Sequence, residues 1–163
     1  MSEATPPRVL IVDDDRNLLD GLRRQLHGIF DLATALGGHE GLDVLRAVGH
    51  GDGFAVVLSD YQMPQMNGAA FLAAVRDVAP DATRMLLTGQ ADLNGVASVV
   101  NQGGVFRFLM KPVSRDVLTE ALRAGVEQYR LVTYERELLE QTRLGTPRPL
   151  SGRLLRVRGE PPR

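Results

Sequence analysis

Along this chain, short continuous apolar runs alternate with stretches whose apolar positions recur every three or four residues. The first kind reads as strands buried on both faces, the second as amphipathic helices. Val9–Val12 is the first run, and Arg16–His27 follows it with Leu18, Leu19, Leu22 and Leu26 at helical spacing. Asp31–Ala35 reads as a short second strand, after which Gly37-Gly38 opens a helix carrying Leu42, Leu45 and Val48. A loop at His50–Gly53 precedes the third run, Phe54–Ser59. Asn67-Gly68 then starts a helix with Phe71, Leu72 and Val75, and Pro80 lies beyond it as a stop. Met85–Leu87 is the fourth run, and a helix around Asp92–Gln102 ends at Gly103-Gly104. The fifth run is Val105–Met110, after which Ser114 is placed to cap a helix bearing Leu118, Leu122, Val126 and Tyr129.

Five strands and five helices in strict alternation predict an α/β fold. Right-handed crossovers that cover both faces make it a doubly wound (βα)5 three-layer sandwich, with a parallel sheet in the flavodoxin-like order 2-1-3-4-5. The last helix meets no stop near Arg130, and strong helix formers continue to Thr142, so one helix of nearly thirty residues is expected from Ser114. Residues 145–163 hold four Pro and three Gly without a helical period. The expected organisation is a tail over 1–6, a folded domain over 7–130, a helical extension over 131–143 and a disordered Arg/Pro-rich tail over 144–163.

Composition narrows the chemistry. With 163 residues and 44% hydrophobic content, one domain with a full core is expected. The absence of cysteine excludes a disulfide framework, a thiolate nucleophile and a Cys-type zinc site. His27, His39 and His50 lack metal-ligand spacing. No apolar stretch approaches the roughly 20 residues of a membrane span, and Met1–Pro7 has no signal-peptide apolar region, so a cytoplasmic protein is expected. The net charge of −1 is uneven: residues 145–163 carry five Arg against one Glu, leaving an acidic body. Such a body suits a divalent cation and argues against a nucleic-acid-binding core. The basic tail has no aromatic residue to stack on a base, so nucleic acid is not expected as a partner.

Each of four runs ends on a polar residue suited to phosphoryl chemistry. Val12 leads into Asp13-Asp14-Asp15, Ser59 into Asp60, Leu87 into Thr88 and Met110 into Lys111, the single lysine beside 18 arginines. In a parallel sheet these ends share the carboxyl edge, where open α/β sheets hold ligands. Two of Asp13–Asp15 together with Asp60 would make a hard oxygen site for Mg²⁺. Asp60 is the candidate nucleophile, and Thr88 and Lys111 can hold the oxygens of a transferring phosphoryl group. Each residue alone has an ordinary explanation, Asp13–Asp15 as helix caps and Thr88 as a strand-end residue. Their conjunction at four strand ends does not.

The stretches VLIVDDD (9–15), LSDYQMPQMNG (58–68), LLTG (86–89) and FRFLMKP (106–112) resemble the receiver domain of two-component response regulators. That resemblance implies Asp13 and Asp14 as the metal-binding pair, Asp60 as phosphoacceptor and the Gln62 backbone carbonyl as a further Mg²⁺ ligand. It also implies Thr88 and Phe108 as the switch pair and Lys111 as the phosphate-binding cation. Asp15 becomes the spare acid, solvated or capping rather than a ligand. Gln62 and Gln90 fall at variable positions that tune dephosphorylation in the family. The implied function is phosphoryl acceptance from a sensor histidine kinase or phosphotransfer protein, which switches a surface toward a downstream protein or toward a second copy in a phosphorylation-dependent homodimer. The implied protein is not an enzyme with substrate turnover of its own.

Residues 103–109 and the ELLEQT stretch at 137–142 resemble receivers that precede HD-type cyclic-dinucleotide phosphodiesterase domains. A stand-alone receiver is expected, and a receiver fragment of a regulator with a lost HD-type output is the alternative. The competing enzyme reading is a haloacid dehalogenase-like phosphatase with Asp13 as nucleophile. It lacks the acidic pair such enzymes need after the lysine, since only Asp116 follows closely.

Overall fold

The computed structural model describes residues 5–48, 53–92, 95–96 and 104–144. Five strands form one parallel sheet: β1 (Arg8–Asp13), β2 (Asp31–Leu36), β3 (Val56–Asp60), β4 (Thr83–Thr88) and β5 (Arg107–Met110). Their order is β2-β1-β3-β4-β5, the doubly wound arrangement expected from the alternation of runs and helices. Among the described residues four helices cover it: α1 (Arg16–Leu26), α2 (Gly38–Val48), α3 (Gly68–Val78) and α4 (Arg115–Leu144). A 3₁₀ turn spans Gln90–Asp92. The helix expected around Asp92–Gln102 otherwise lies mostly outside the described residues.

The strands are apolar on both faces because each face is covered by helices, and period-2 alternation divides their side chains into two cores. Val9, Ile11, Val56, Leu58, Met85, Leu87 and Leu109 pack with Leu19 and Leu22 of α1 and Leu118 and Leu122 of α4. Leu10, Val12, Val57 and Leu86 pack on the other side with Leu42 and Leu45 of α2 and Phe71 and Leu72 of α3. Truncating any of these buried leucines to alanine is the kind of change that costs about 2–5 kcal/mol.

Local chemistry starts three of the four helices. The Asp15 side chain caps α1 by accepting from the Asn17 and Leu18 N–H groups at 3.0 and 3.2 Å. Asn67 caps α3 by accepting from Ala70 N–H at 2.8 Å. Ser114 Oγ accepts from Val117 N–H at 3.2 Å at the start of α4. That helix runs 30 residues, as its composition requires, and Arg136 on its distal half ion-pairs with Asp81 in the turn before β4. The fifth strand is shorter than its apolar run. Phe106 N–H donates to Arg84 O at 2.8 Å, but ladder pairing begins one residue later, at Met85 and Arg107.

Candidate functional site

Parallel register carries the strand ends to one edge. Val12 pairs with Ser59, so Asp13 and Asp60 emerge side by side, and Asp60 pairs with Leu87 immediately before Thr88. Thr88 pairs with Met110, and its carbonyl accepts from Lys111 N–H at 2.9 Å, which brings the lysine stem to the same edge across a cis Lys111–Pro112 bond.

Carboxylate oxygens of Asp13, Asp14 and Asp60 lie within 4.8 Å of one another. Asp13 and Asp60 are buried, at 2% and 6% exposure, whereas Asp14 is exposed. Asp15 points elsewhere, to its helix, and of the three acids Asp13 and Asp14 are the two that lie beside Asp60. Asp13 Oδ1 accepts from Asp15 N–H at 2.9 Å. Its Oδ2 faces Lys111 Nζ at 3.6 Å, and the same ammonium lies 2.8 Å from Asp60 Oδ1.

Burial, with the Asp60 charge behind it, pushes the Asp13 carboxyl up to about 6 against the pull of the Asp15 N–H. Burial raises Asp60 as well. The Lys111 hydrogen bond and charge oppose that rise, and the Asp14 charge adds to it. Burial works to lower the Lys111 ammonium, but its bond to Asp60 and the neighbouring carboxylates outweigh burial and leave it raised. One ammonium therefore does not neutralise this cluster. A set of hard oxygen donors short of positive charge, open to solvent on the Asp14 side, fits Mg²⁺.

The backbone around Asp60 is fixed closely. Ser59 Oγ donates to Asp60 O at 2.9 Å, and Gly68 N–H donates to Tyr61 O at 2.7 Å. A Cβ at Gly68 would run into the Asp60 carbonyl oxygen and Tyr61 Cα, so only glycine lets α3 start this near the strand end. Between them the loop turns through Gln65 at a φ of 70°.

Thr88 is fully buried, and its hydroxyl donates to the carbonyl of the next residue, Gly89, at 3.2 Å. Phe108, paired with Leu86 two residues before the Thr88–Met110 pair, shares their face of the sheet. It is half-buried against the α2–α3 core. The Gln62 side chain is held by a residue outside the acidic cluster: its Nε2 donates to Asp92 Oδ1 at 2.5 Å. Asp92 carries no signal in the sequence beyond the start of a helix. It is the residue of the site's rim that sequence reasoning missed. Gln90's side chain lies outside the described residues.

An open parallel α/β sheet with an acidic cluster, a buried hydroxyl and a lysine at its carboxyl edge defines the class of a phosphoryl-operated switch. The model of the response regulator receiver domain matches residues 9–123, and the chain belongs to that family. Among curated relatives, the transcriptional regulatory protein GlrR of Escherichia coli K12 is 35% identical over 154 residues, covering 85% of this chain and 33% of its own length. The chain spans about a third or less of the curated relatives matched first. Among solved structures, an adenylate cyclase from Rhodopirellula baltica superposes with a TM-score of 0.78 at 38% identity, covering 83% of this chain and 98% of that one. The signal receiver domain of an HD domain-containing protein from Pseudomonas fluorescens Pf-5 gives 0.72 at 32% identity, over 84% and 96% of the two chains. That likeness agrees with the resemblance of residues 103–109 and 137–142 to receivers of the HD type. Family membership leaves the phosphatase reading with Asp13 as nucleophile without support, and the chain is a switch module rather than an enzyme with turnover of its own. No helix among the described residues is long and apolar enough to cross a membrane.

Proposed function

We propose that this chain is the phosphoryl-accepting switch of a two-component phosphorelay, with Asp60 as the acceptor and a sensor histidine kinase or phosphotransfer protein as the donor. The observation that carries the reading is the cluster itself: three carboxylates within 4.8 Å and Lys111 Nζ 2.8 Å from Asp60 Oδ1. An Asp60 carboxylate oxygen attacks the phosphorus in line. The new O–P bond forms as the P–N bond of the donor phosphohistidine breaks, and the imidazole leaves with the electron pair. Asp13, Asp14, Asp60 and the Gln62 carbonyl would hold Mg²⁺, which supplies neutralising charge to the phosphoryl oxygens when bound. Lys111 moves from pairing two carboxylates to pairing a phosphoryl oxygen. Thr88 turns its hydroxyl from Gly89 O toward another of those oxygens.

That turn leaves space beneath Thr88 on the face it shares with Phe108, and an inward shift of Phe108 fills it. The phosphoryl group thereby biases two arrangements of the β4–β5 face. Phe106 and Met110, both exposed there, belong to the surface offered to a downstream protein or a second copy. A cytoplasmic site of action belongs with this reading. The test is intact mass after incubation with Mg²⁺ and a small acyl-phosphate donor. One phosphoryl adduct on the parent and none on Asp60→Asn is expected; an adduct on both overturns the assignment of Asp60.

A further inference from the structure

The loop after Asp60 and the turn after Thr88 are tied to each other. Gln62, two residues past the nucleophile, donates its side-chain amide to Asp92 Oδ1 at 2.5 Å across a sequence separation of 30. Asp92 is held in turn, because its N–H donates to Gly89 O at 3.1 Å, directly after Thr88. Beside this clasp, Gly95 lies so close to Tyr61 that a Cβ there would run into the Tyr61 hydroxyl. The half-buried Asp92 thus fixes the one amide side chain of the stretch 61–64, which with Asp14 and Asn67 lines an opening on the Asp14 side of the cluster.

An amide side chain beside a phosphoryl group speeds its hydrolysis by orienting the attacking water, and it must be free to reach that water. A charge-assisted bond to a carboxylate removes that freedom. We infer that Asp92 is a positioning residue that lengthens the life of the Asp60 phosphoryl group by holding Gln62 away from the attacking water. The step it slows is attack of water on phosphorus. The new O–P bond forms as the P–O bond to Asp60 breaks, the carboxylate leaves with the electron pair, and the water's protons pass to inorganic phosphate and solvent. The inference rests on the phosphoacceptor reading of Asp60.

The experiment phosphorylates the full chain with a small acyl-phosphate donor and Mg²⁺, removes the donor and follows loss of the adduct by intact mass. Asp92→Ala is expected to hydrolyse about fivefold faster than the parent, the scale of a released charged hydrogen bond at a half-exposed site. Asp92→Asn, whose amide oxygen still accepts from Gln62, is expected to stay within about twofold of the parent. Asp92→Ala is expected to have no further effect in a Gln62→Ala background, which a general loosening of the turn would not reproduce. Side-chain amide resonances of Gln62 supply a readout independent of hydrolysis, exchanging slowly with solvent in the parent and fast in Asp92→Ala. Equal lifetimes in parent and Asp92→Ala, or the same acceleration with and without Gln62, would overturn the inference alone. A parent that takes up no phosphoryl group overturns the acceptor reading and the inference with it.

Discussion

Replacing Asp60 with asparagine should stabilise the metal-free protein and destabilise it relative to the parent once Mg²⁺ is added. Asp60 is 6% exposed, and its oxygens lie within 4.8 Å of those of Asp13 and Asp14. At an effective dielectric constant of about 20, two like charges at that separation repel by roughly 3 kcal/mol. Lys111 at 2.8 Å offsets part of this, but its side chain is 36% exposed and its attraction is screened. The raised Asp60 pKa gives the sign of the balance, because burial, with the Asp14 charge added, outweighs the lysine. Asparagine keeps the shape and removes the charge, so a gain on the order of 1–2 kcal/mol is expected at pH 7, or about 3–6 °C in the melting temperature. A carboxyl whose folded pKa lies above its ordinary 3.8 contributes stability below pH 3.8 that is lost as pH rises through the folded value. The gap between variant and parent should therefore open with rising pH and close near pH 4. Adding Mg²⁺ to about 100 times its dissociation constant stabilises the parent by about 2.7 kcal/mol and a variant lacking one of three carboxylates by less, so the order of melting temperatures inverts. The assay is thermal unfolding of both proteins in chelator and in Mg²⁺ at pH 4, 5.5 and 7. An Asp60→Asn variant less stable than the parent in chelator at pH 7, or a gap independent of pH, would refute this account of the cluster.

Mg²⁺ itself should stabilise the parent more at pH 8 than at pH 5, since Asp13, pushed up to about 6, must lose its proton to ligate; equal melting shifts at the two pH values would count against Asp13 as a ligand. Lys111→Ala should bind Mg²⁺ at least as tightly as the parent, because it removes positive charge 2.8 Å from Asp60, yet fail to respond once phosphorylated. Metal titration and partner binding test the two halves separately, and an intact response would remove Lys111 from the switch. Thr88→Ala should accept the phosphoryl group with nearly parental yield but show little change in amide exchange at β4 and β5, and an undiminished change would sink the Thr88–Phe108 coupling. Gly68→Ala should cost about 2–3 kcal/mol or more by urea unfolding, since its Cβ meets backbone at Asp60 and Tyr61 rather than a side chain that can move. A loss under about 0.5 kcal/mol, the scale of an ordinary surface change, would show that α3 can back away from the site.

Why some of this is legible in the sequence and some is not follows from the range of the interactions. A strand buried on both faces needs an unbroken apolar run, so Val9–Val12 and Phe54–Ser59 announce themselves. Parallel pairing then carries Asp13, Asp60, Thr88 and Lys111 to one edge without further information. Caps act over two or three residues, and Asp15, Asn67 and Ser114 occupy the positions that local chemistry assigns them. The apolar run starts the fifth strand too early because Phe106 is apolar yet 38% exposed; the run marks hydrophobicity, while the ladder is set by the neighbour at Met85. The bonds from Gln62 to Asp92 and from Arg136 to Asp81 join polar residues far apart in sequence, and nothing periodic marks either partner. This difference bears on function. The residues to which phosphoryl transfer is assigned in the proposed function sit at four strand ends, where the parallel sheet must put them. The contact on which the proposed lifetime of the phosphoryl group rests, Gln62 to Asp92, joins polar side chains far apart in sequence that each chain is free to remake.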